Sequence, residues 1–211
     1  MDFAIKICGT TTRDDALYAL EAGADYIGFI LYSKSPRCIS PLALAQLMDK
    51  TEELDCAVGV FVNTPAQDLS TIAHDCNLCA VQLHGDEQPD DYAQLEYPIW
   101  RAVKLRDQHC LPPADEWPDR TLVVDADVPG HYGGTGQSAD WTAAAQLASQ
   151  RSVMLAGGLT PDNVGDAIRT VLPFGVDVAS GTETHPGHKD RLKTKQFIEH
   201  ARRAASEMTK T

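Results

Sequence analysis

Two residues in this sequence have the type and setting to move protons. Cys8 lies in the run Lys6-Ile7-Cys8-Gly9-Thr10-Thr11, at the end of a short apolar segment with a lysine two residues before it. On a strand, residues two apart share a face, so Lys6 would stand beside Cys8. A neighbouring cation lowers a thiol's pKa and makes a thiolate available as a base. Asp125 ends the apolar run Leu122-Val123-Val124-Asp125. Partial burial there would raise the carboxyl's pKa and suit it to give up a proton near neutral pH. Asp127, two residues on, is its rival. Against these readings, a buried cysteine is most often an apolar filler, and an aspartate at a strand end can simply cap a turn. A thiolate and a carboxylic acid facing one substrate would form a general base and a general acid. That pairing shuttles protons beside a carbonyl or imine without a metal or redox cofactor.

Other residues look suited to holding an anion. Leu155-Ala156-Gly157-Gly158-Leu159-Thr160-Pro161 reads as a strand, a glycine turn and a helix start, with Thr160 as N-cap. Glycines let backbone N–H groups approach an anion closely. Ser180-Gly181 offers a second glycine turn with a hydroxyl. Either turn alone would only close a tight connection; together they point to a phosphate cradle. Arg37, in Ser33-Lys34-Ser35-Pro36-Arg37, could grip a carboxylate bidentately or be a solvated surface residue. Lys6 and His84 are candidate substrate contacts, though His84 could equally buttress its loop. The histidines show no metal-ligand spacing, and Cys76-Asn77-Leu78-Cys79 has redox-motif spacing without a second ligand pair.

These residues need a scaffold that gathers them. Short apolar runs at residues 3–7, 26–31, 57–62, 80–83, 99–103, 121–124, 153–156 and 176–179 read as strands. Helices are expected at 13–22, 41–54, 65–76, 139–150, 163–171 and 191–207, with a short one at 89–94 and a weak, proline-rich segment after the fifth strand. Eight alternating units imply a parallel sheet with helices outside it. Lys6, Cys8, Asn63, Gln82, His84, Lys104, Asp125, Gly157 and Ser180 all fall at the C-terminal ends of strands. That favours a closed α/β (β/α)8 TIM barrel, one domain over residues 1–211, rather than an open sheet with one switch point. The chain is 43% hydrophobic and 23% charged, which suits a sizeable core. A net charge of −12 and the lack of a basic stripe argue against nucleic acid and anionic membranes as partners. An anionic substrate would then need local positive potential. The N-terminus does not read as a signal peptide and no run is long enough to span a bilayer, so a cytoplasmic protein with reduced thiols is expected.

The ordered motifs resemble the phosphoribosylanthranilate isomerase family over nearly the whole chain. They include Lys6-Ile7-Cys8-Gly9, Ser33-Lys34-Ser35-Pro36-Arg37, Val81-Gln82-Leu83-His84-Gly85-Asp86-Glu87, Tyr132-Gly133-Gly134-Thr135-Gly136, Gly157-Gly158-Leu159-Thr160-Pro161-Asp162-Asn163, Asp177-Val178-Ala179-Ser180-Gly181 and Pro186-Gly187-His188-Lys189-Asp190. The resemblance implies an Amadori rearrangement of N-(5-phosphoribosyl)anthranilate in tryptophan biosynthesis. In it Asp125 would act as acid, Cys8 as base and Arg37 as the carboxylate anchor. Gly157, Gly158, Ser180 and Gly181 would hold the phosphate. It also implies association with indole-glycerol-phosphate synthase. Thr10, Ala179 and Thr182 depart from the family's usual residues without touching the acid or the base. Two alternatives remain: another phosphosugar barrel enzyme, and a non-catalytic phosphosugar-binding barrel or partner subunit.

Overall fold

Period-two alternation places every second side chain of a strand inside a barrel and the rest against the helices. The computed structural model describes residues 3–51, 54–106, 109–118, 120–126 and 139–208. Its strands are β1 (Ala4–Cys8), β2 (Tyr26–Ile30), β3 (Ala57–Phe61), β4 (Ala80–Leu83), β5 (Ile99–Arg106), β6 (His109–Leu111), β7 (Thr121–Asp125), β8 (Val153–Leu155), β9 (Gly175–Val178), β10 (Glu183–His185) and β11 (His188–Lys189). Neighbours run β4-β3-β2-β1-β9-β8-β7-β5, and a β4–β5 pairing closes the ring. All eight of these pairings are parallel. The fold is a (β/α)8 barrel.

Inside the ring, Ala4, Val58, Ala80, Trp100, Val123 and Met154 pack into an apolar floor. Continuing up the same faces, two or four residues on, come Lys6 and Cys8, Gln82 and His84, and Asp125, while Asp177 stands two residues beyond Gly175 on β9. The sequence therefore puts its polar residues above a sealed base. The larger apolar cluster, including Ile5, Ile7, Ile27, Phe29, Phe61 and Phe197, fills the space between barrel and helices.

The helices are α1 (Arg13–Glu21), α2 (Pro41–Met48), α3 (Ala66–Asp75), α4 (Trp141–Ala148), α5 (Val164–Val171) and α6 (Arg191–Met208). Thr12, Ser40 and Asp140 cap α1, α2 and α4 by accepting from backbone N–H groups of the first turn. Two units depart from the expected helices. After β4 there is only a 3-10 turn, Pro89–Tyr92. After β5 the chain folds back as β6, antiparallel to β5, and then makes the 3-10 turn Ala114–Glu116. Pro112 and Pro113 supply no N–H for a helical ladder there. Pairing with β6 also carries β5 on to Arg106, beyond the expected end at 103. No helix among the described residues is long and apolar enough to cross a membrane.

Candidate active site

Cys8 owes its place to a glycine on the next strand. In the β1–β2 register Cys8 faces Gly28. A Cβ at Gly28 would lie 2.6 Å from the Cys8 sulfur and 2.9 Å from Lys6 Cε. Lys6 is fully buried; its ammonium donates to Gln82 Oε1 and Asp177 Oδ2, both at 2.9 Å. Burial opposes that charge, but Asp177 and then Cys8 outweigh it, and the Lys6 pKa stands above its ordinary value. For Cys8 the balance falls the other way. Burial pushes the thiol up and exceeds the opposing pull of Lys6. The expected thiol lowered by its lysine neighbour is thus corrected: at rest Cys8 is a protonated thiol. Lys6 also lies behind the sulfur and is not part of the cavity wall, so it supports Cys8 rather than touching a ligand.

Asp125 stands on β7, three strands round the ring from β1. Its Oδ1 accepts from the Ala126 N–H at 2.8 Å, and its Oδ2 lies 3.3 Å from His84 Nε2. The imidazole sits off the line of a well-formed hydrogen bond, so this is a close polar contact rather than a directed bond. Burial pushes the Asp125 carboxyl up, but His84, the Ala126 N–H and the Lys104 charge together outweigh it, and its pKa lies below the ordinary carboxylate value. The expectation of a raised pKa is corrected accordingly. Gly157 makes this packing possible: a Cβ there would lie 2.6 Å from Ala126 N and 3.1 Å from Asp125 Oδ1.

His84 is held by a buried ion pair beneath its loop. Arg101 donates to the carbonyls of Leu83 at 3.1 Å and Gly85 at 2.7 Å, and pairs with Glu87 at 2.5 Å. Glu87 in turn accepts from the N–H groups of Asn63 and Gly85, each at 2.8 Å. Buttressed in this way, the imidazole still reaches the cavity wall.

Arg37 crosses over Gly9, where a Cβ would come within 2.7 Å of Arg37 Cδ. It is buried. Its Nε and Nη2 donate to the two oxygens of Glu183, each at 2.8 Å. Lys189 completes the cluster, donating to the carbonyls of Cys8 at 2.6 Å and Ala179 at 3.0 Å and approaching Glu183 at 3.3 Å. Burial lowers the Lys189 pKa despite Glu183. The β10–β11 hairpin thus ties the Cys8 backbone to the Arg37 guanidinium.

The glycine loops are stapled from within. Gly157 and Gly158 take left-handed φ values of +80° and +64°. Asn163 accepts from the Thr160 N–H at 2.8 Å and donates to the Gly158 carbonyl at 2.9 Å. Helix α5 begins only at Val164, so Thr160 is not its cap as expected; the intervening residues form the turn that Asn163 closes. A Cβ at Gly181 would lie 1.9 Å from the Leu159 carbonyl. Gly181 therefore brings the two loops together and is not on the cavity wall, whereas Gly157, Gly158 and Ser180 are.

Cys8, Arg37, His84 and Asp125 line one cavity with those three loop residues, at the C-terminal mouth of the barrel. Asp127 and the run 132–136 lie outside the described residues. Sequence reasoning passed over Gln82, Asp177, Glu183 and Lys189 as working groups. Asp177 carried a signal: an aspartate inside an apolar strand, like Lys6, which it faces in the β1–β9 register. The hairpin pair carried none, because its partners are distant in sequence. The Cys76 and Cys79 thiols are unpaired, with Cys76 at the end of α3 and Cys79 just before β4.

The family described as N-(5'phosphoribosyl)anthranilate (PRA) isomerase matches residues 5–200 of the chain. The N-(5'-phosphoribosyl)anthranilate isomerase of Trichlorobacter lovleyi is 43% identical over 201 residues, spanning 95% of this chain and 98% of that one. Among solved structures, phosphoribosyl anthranilate isomerase from Thermotoga maritima aligns with a TM-score of 0.87 at 35% identity, covering 94% of this chain and 98% of that one. A phosphoribosyl anthranilate isomerase in complex with reduced 1-(o-carboxyphenylamino)-1-deoxyribulose 5-phosphate aligns with a TM-score of 0.84 at 34% identity, over the same shares of the two chains.

Proposed function

The chain belongs to the N-(5'-phosphoribosyl)anthranilate isomerase family, and from that premise we propose how its residues divide the reaction among themselves. The activity is the Amadori rearrangement of N-(5-phosphoribosyl)anthranilate to 1-(2-carboxyphenylamino)-1-deoxyribulose 5-phosphate, a step of tryptophan biosynthesis. Asp125 gives a proton to the furanose ring oxygen as the bond from that oxygen to C1′ breaks, leaving a protonated Schiff base. The Cys8 thiolate then takes the C2′ proton, and the resulting enolamine tautomerises to the ketone with a proton added at C1′. Nothing is gained or lost overall. Arg37 holds the anthranilate carboxylate, and Gly157, Gly158 and Ser180 hold the phosphate.

One observation carries this reading: a thiol and a carboxyl, on strands three apart in the ring, line the same cavity. The resting site holds its proton on sulfur, and the productive form moves that proton to Asp125. A bound substrate drives the shift. Its phosphate and carboxylate raise a nearby carboxyl's pKa, and the iminium formed once the ring has opened then favours the thiolate for the second step. Loss of substrate fluorescence gives the test. Cys8→Ala and Asp125→Ala should each lower kcat by about 10²–10⁴-fold or more. Wild-type turnover in both variants would refute these roles. Retention of both groups gives no support to a non-catalytic barrel.

A thiol that works as a base must stay reduced, which suits a cytoplasmic setting. Association with indole-glycerol-phosphate synthase, which the family resemblance supports, belongs to the same proposal. Sedimentation of the mixed proteins tests it.

A further inference from the structure

Gln82 has no part in the chemistry above, yet it sits between the base and the acid. We propose that Gln82 is a positioning residue that keeps His84 neutral with its proton on Nε2, so that a proton entering the His84–Asp125 pair resides on Asp125. The proposal rests on the reading of Asp125 as the general acid.

The orientation of the Gln82 amide follows from its neighbour. The Lys6 ammonium, 2.9 Å away, has only hydrogens to offer, so the amide oxygen must face it. Asp177 holds that ammonium from the other side at 2.9 Å, and Lys6 has no exposed surface. The amide NH2 is thereby turned to His84 Nδ1 at 3.2 Å. A donor there demands a lone pair on Nδ1, and the single imidazole hydrogen then sits on Nε2, the nitrogen 3.3 Å from Asp125 Oδ2.

The consequence concerns where a further proton can go. Protonating Nδ1 would set an N–H against the amide N–H in a buried space, and rotating the amide would set NH2 against the ammonium. Both are unfavourable. The remaining acceptor in the pair is the Asp125 carboxylate. A run of contacts from Asp177 through Lys6, Gln82 and His84 therefore directs the exchangeable proton to the group that must deliver it. The other titratable groups around the imidazole are Lys104 on β5, Cys8 on β1, and Asp86 beside the Glu87–Arg101 pair in its own loop.

The test is nitrogen NMR of ¹⁵N-histidine-labelled full chain, with the His84 signal identified by its loss in His84→Asn. Wild type should show Nε2 protonated and Nδ1 bare at neutral pH. Gln82→Glu keeps an acceptor for Lys6 but presents an oxygen to Nδ1. It should turn His84 into an imidazolium and lower kcat by about 10²-fold, with KM little changed. Gln82→Met should leave a mixture of tautomers and a smaller loss of kcat. A wild-type His84 protonated on Nδ1 overturns the proposal, whether or not the variants fold. So does Gln82→Glu with wild-type kcat, or with reduced kcat and an unchanged neutral tautomer. Failure of the Asp125 reading shows separately, as wild-type turnover in Asp125→Asn beside the expected wild-type tautomer.

Discussion

Cys8 and Asp125 meet the substrate with the proton on the wrong partner, since burial raises the thiol's pKa and the contacts of Asp125 lower the carboxyl's. The productive form, thiolate with carboxylic acid, carries the same number of protons as the resting form. Its fraction is therefore constant between the pair's two apparent pKa values. Below the lower value both groups are protonated and the base is blocked; above the upper value neither is, and the acid is lost. Accordingly kcat/KM should be flat across neutral pH, with its acid limb below the ordinary carboxylate value of 3.8 and its alkaline limb above the ordinary thiol value of 9.0. A pH profile checks this, and an alkaline limb at or under the ordinary thiol value would contradict it. Both residues were legible in the sequence, because each ends an apolar strand. The directions of their pKa values were not. Those depend on Asp177, His84 and the extent of burial, which assemble only when the ring closes.

At the scale of elements, the β10–β11 hairpin bears more on the site than its length suggests. Glu183 pairs with both Arg37 and Lys189, with all three side chains nearly buried. Removing it as Glu183→Ala leaves two buried cations without a counter-ion, at a cost of about 3–5 kcal/mol in denaturant unfolding. The loosened guanidinium should also raise KM roughly tenfold, about the worth of one charge-assisted hydrogen bond, with kcat less affected. Unchanged stability and KM would show that the hairpin does not hold Arg37. The barrel strands and most helices were readable from apolar runs, caps and glycine stops. The β6 strand and the hairpin were not, because segments of two or three residues carry no period and pair only through local geometry. The short helix expected at 89–94 is a 3-10 turn over Pro89–Tyr92.

Across the whole molecule, a chain of net charge −12 has to bind a substrate that is itself anionic. The barrel meets this by placing two cations against one acid in the Arg37–Glu183–Lys189 cluster beside the cavity mouth. It adds the backbone of two glycine loops, held together where Gly181 meets the Leu159 carbonyl. The acid and the base stand on separate strands of a rigid ring, so their spacing is fixed before substrate arrives. A crystal structure of this protein with reduced 1-(o-carboxyphenylamino)-1-deoxyribulose 5-phosphate measures that spacing directly. The Cys8 sulfur should lie roughly 3–3.5 Å from C2′. An Asp125 oxygen should lie about 2.6–3.2 Å from the oxygen that closes the furanose ring in the substrate. A sulfur turned away from the sugar, or a carboxyl out of reach of that oxygen, would contradict the account.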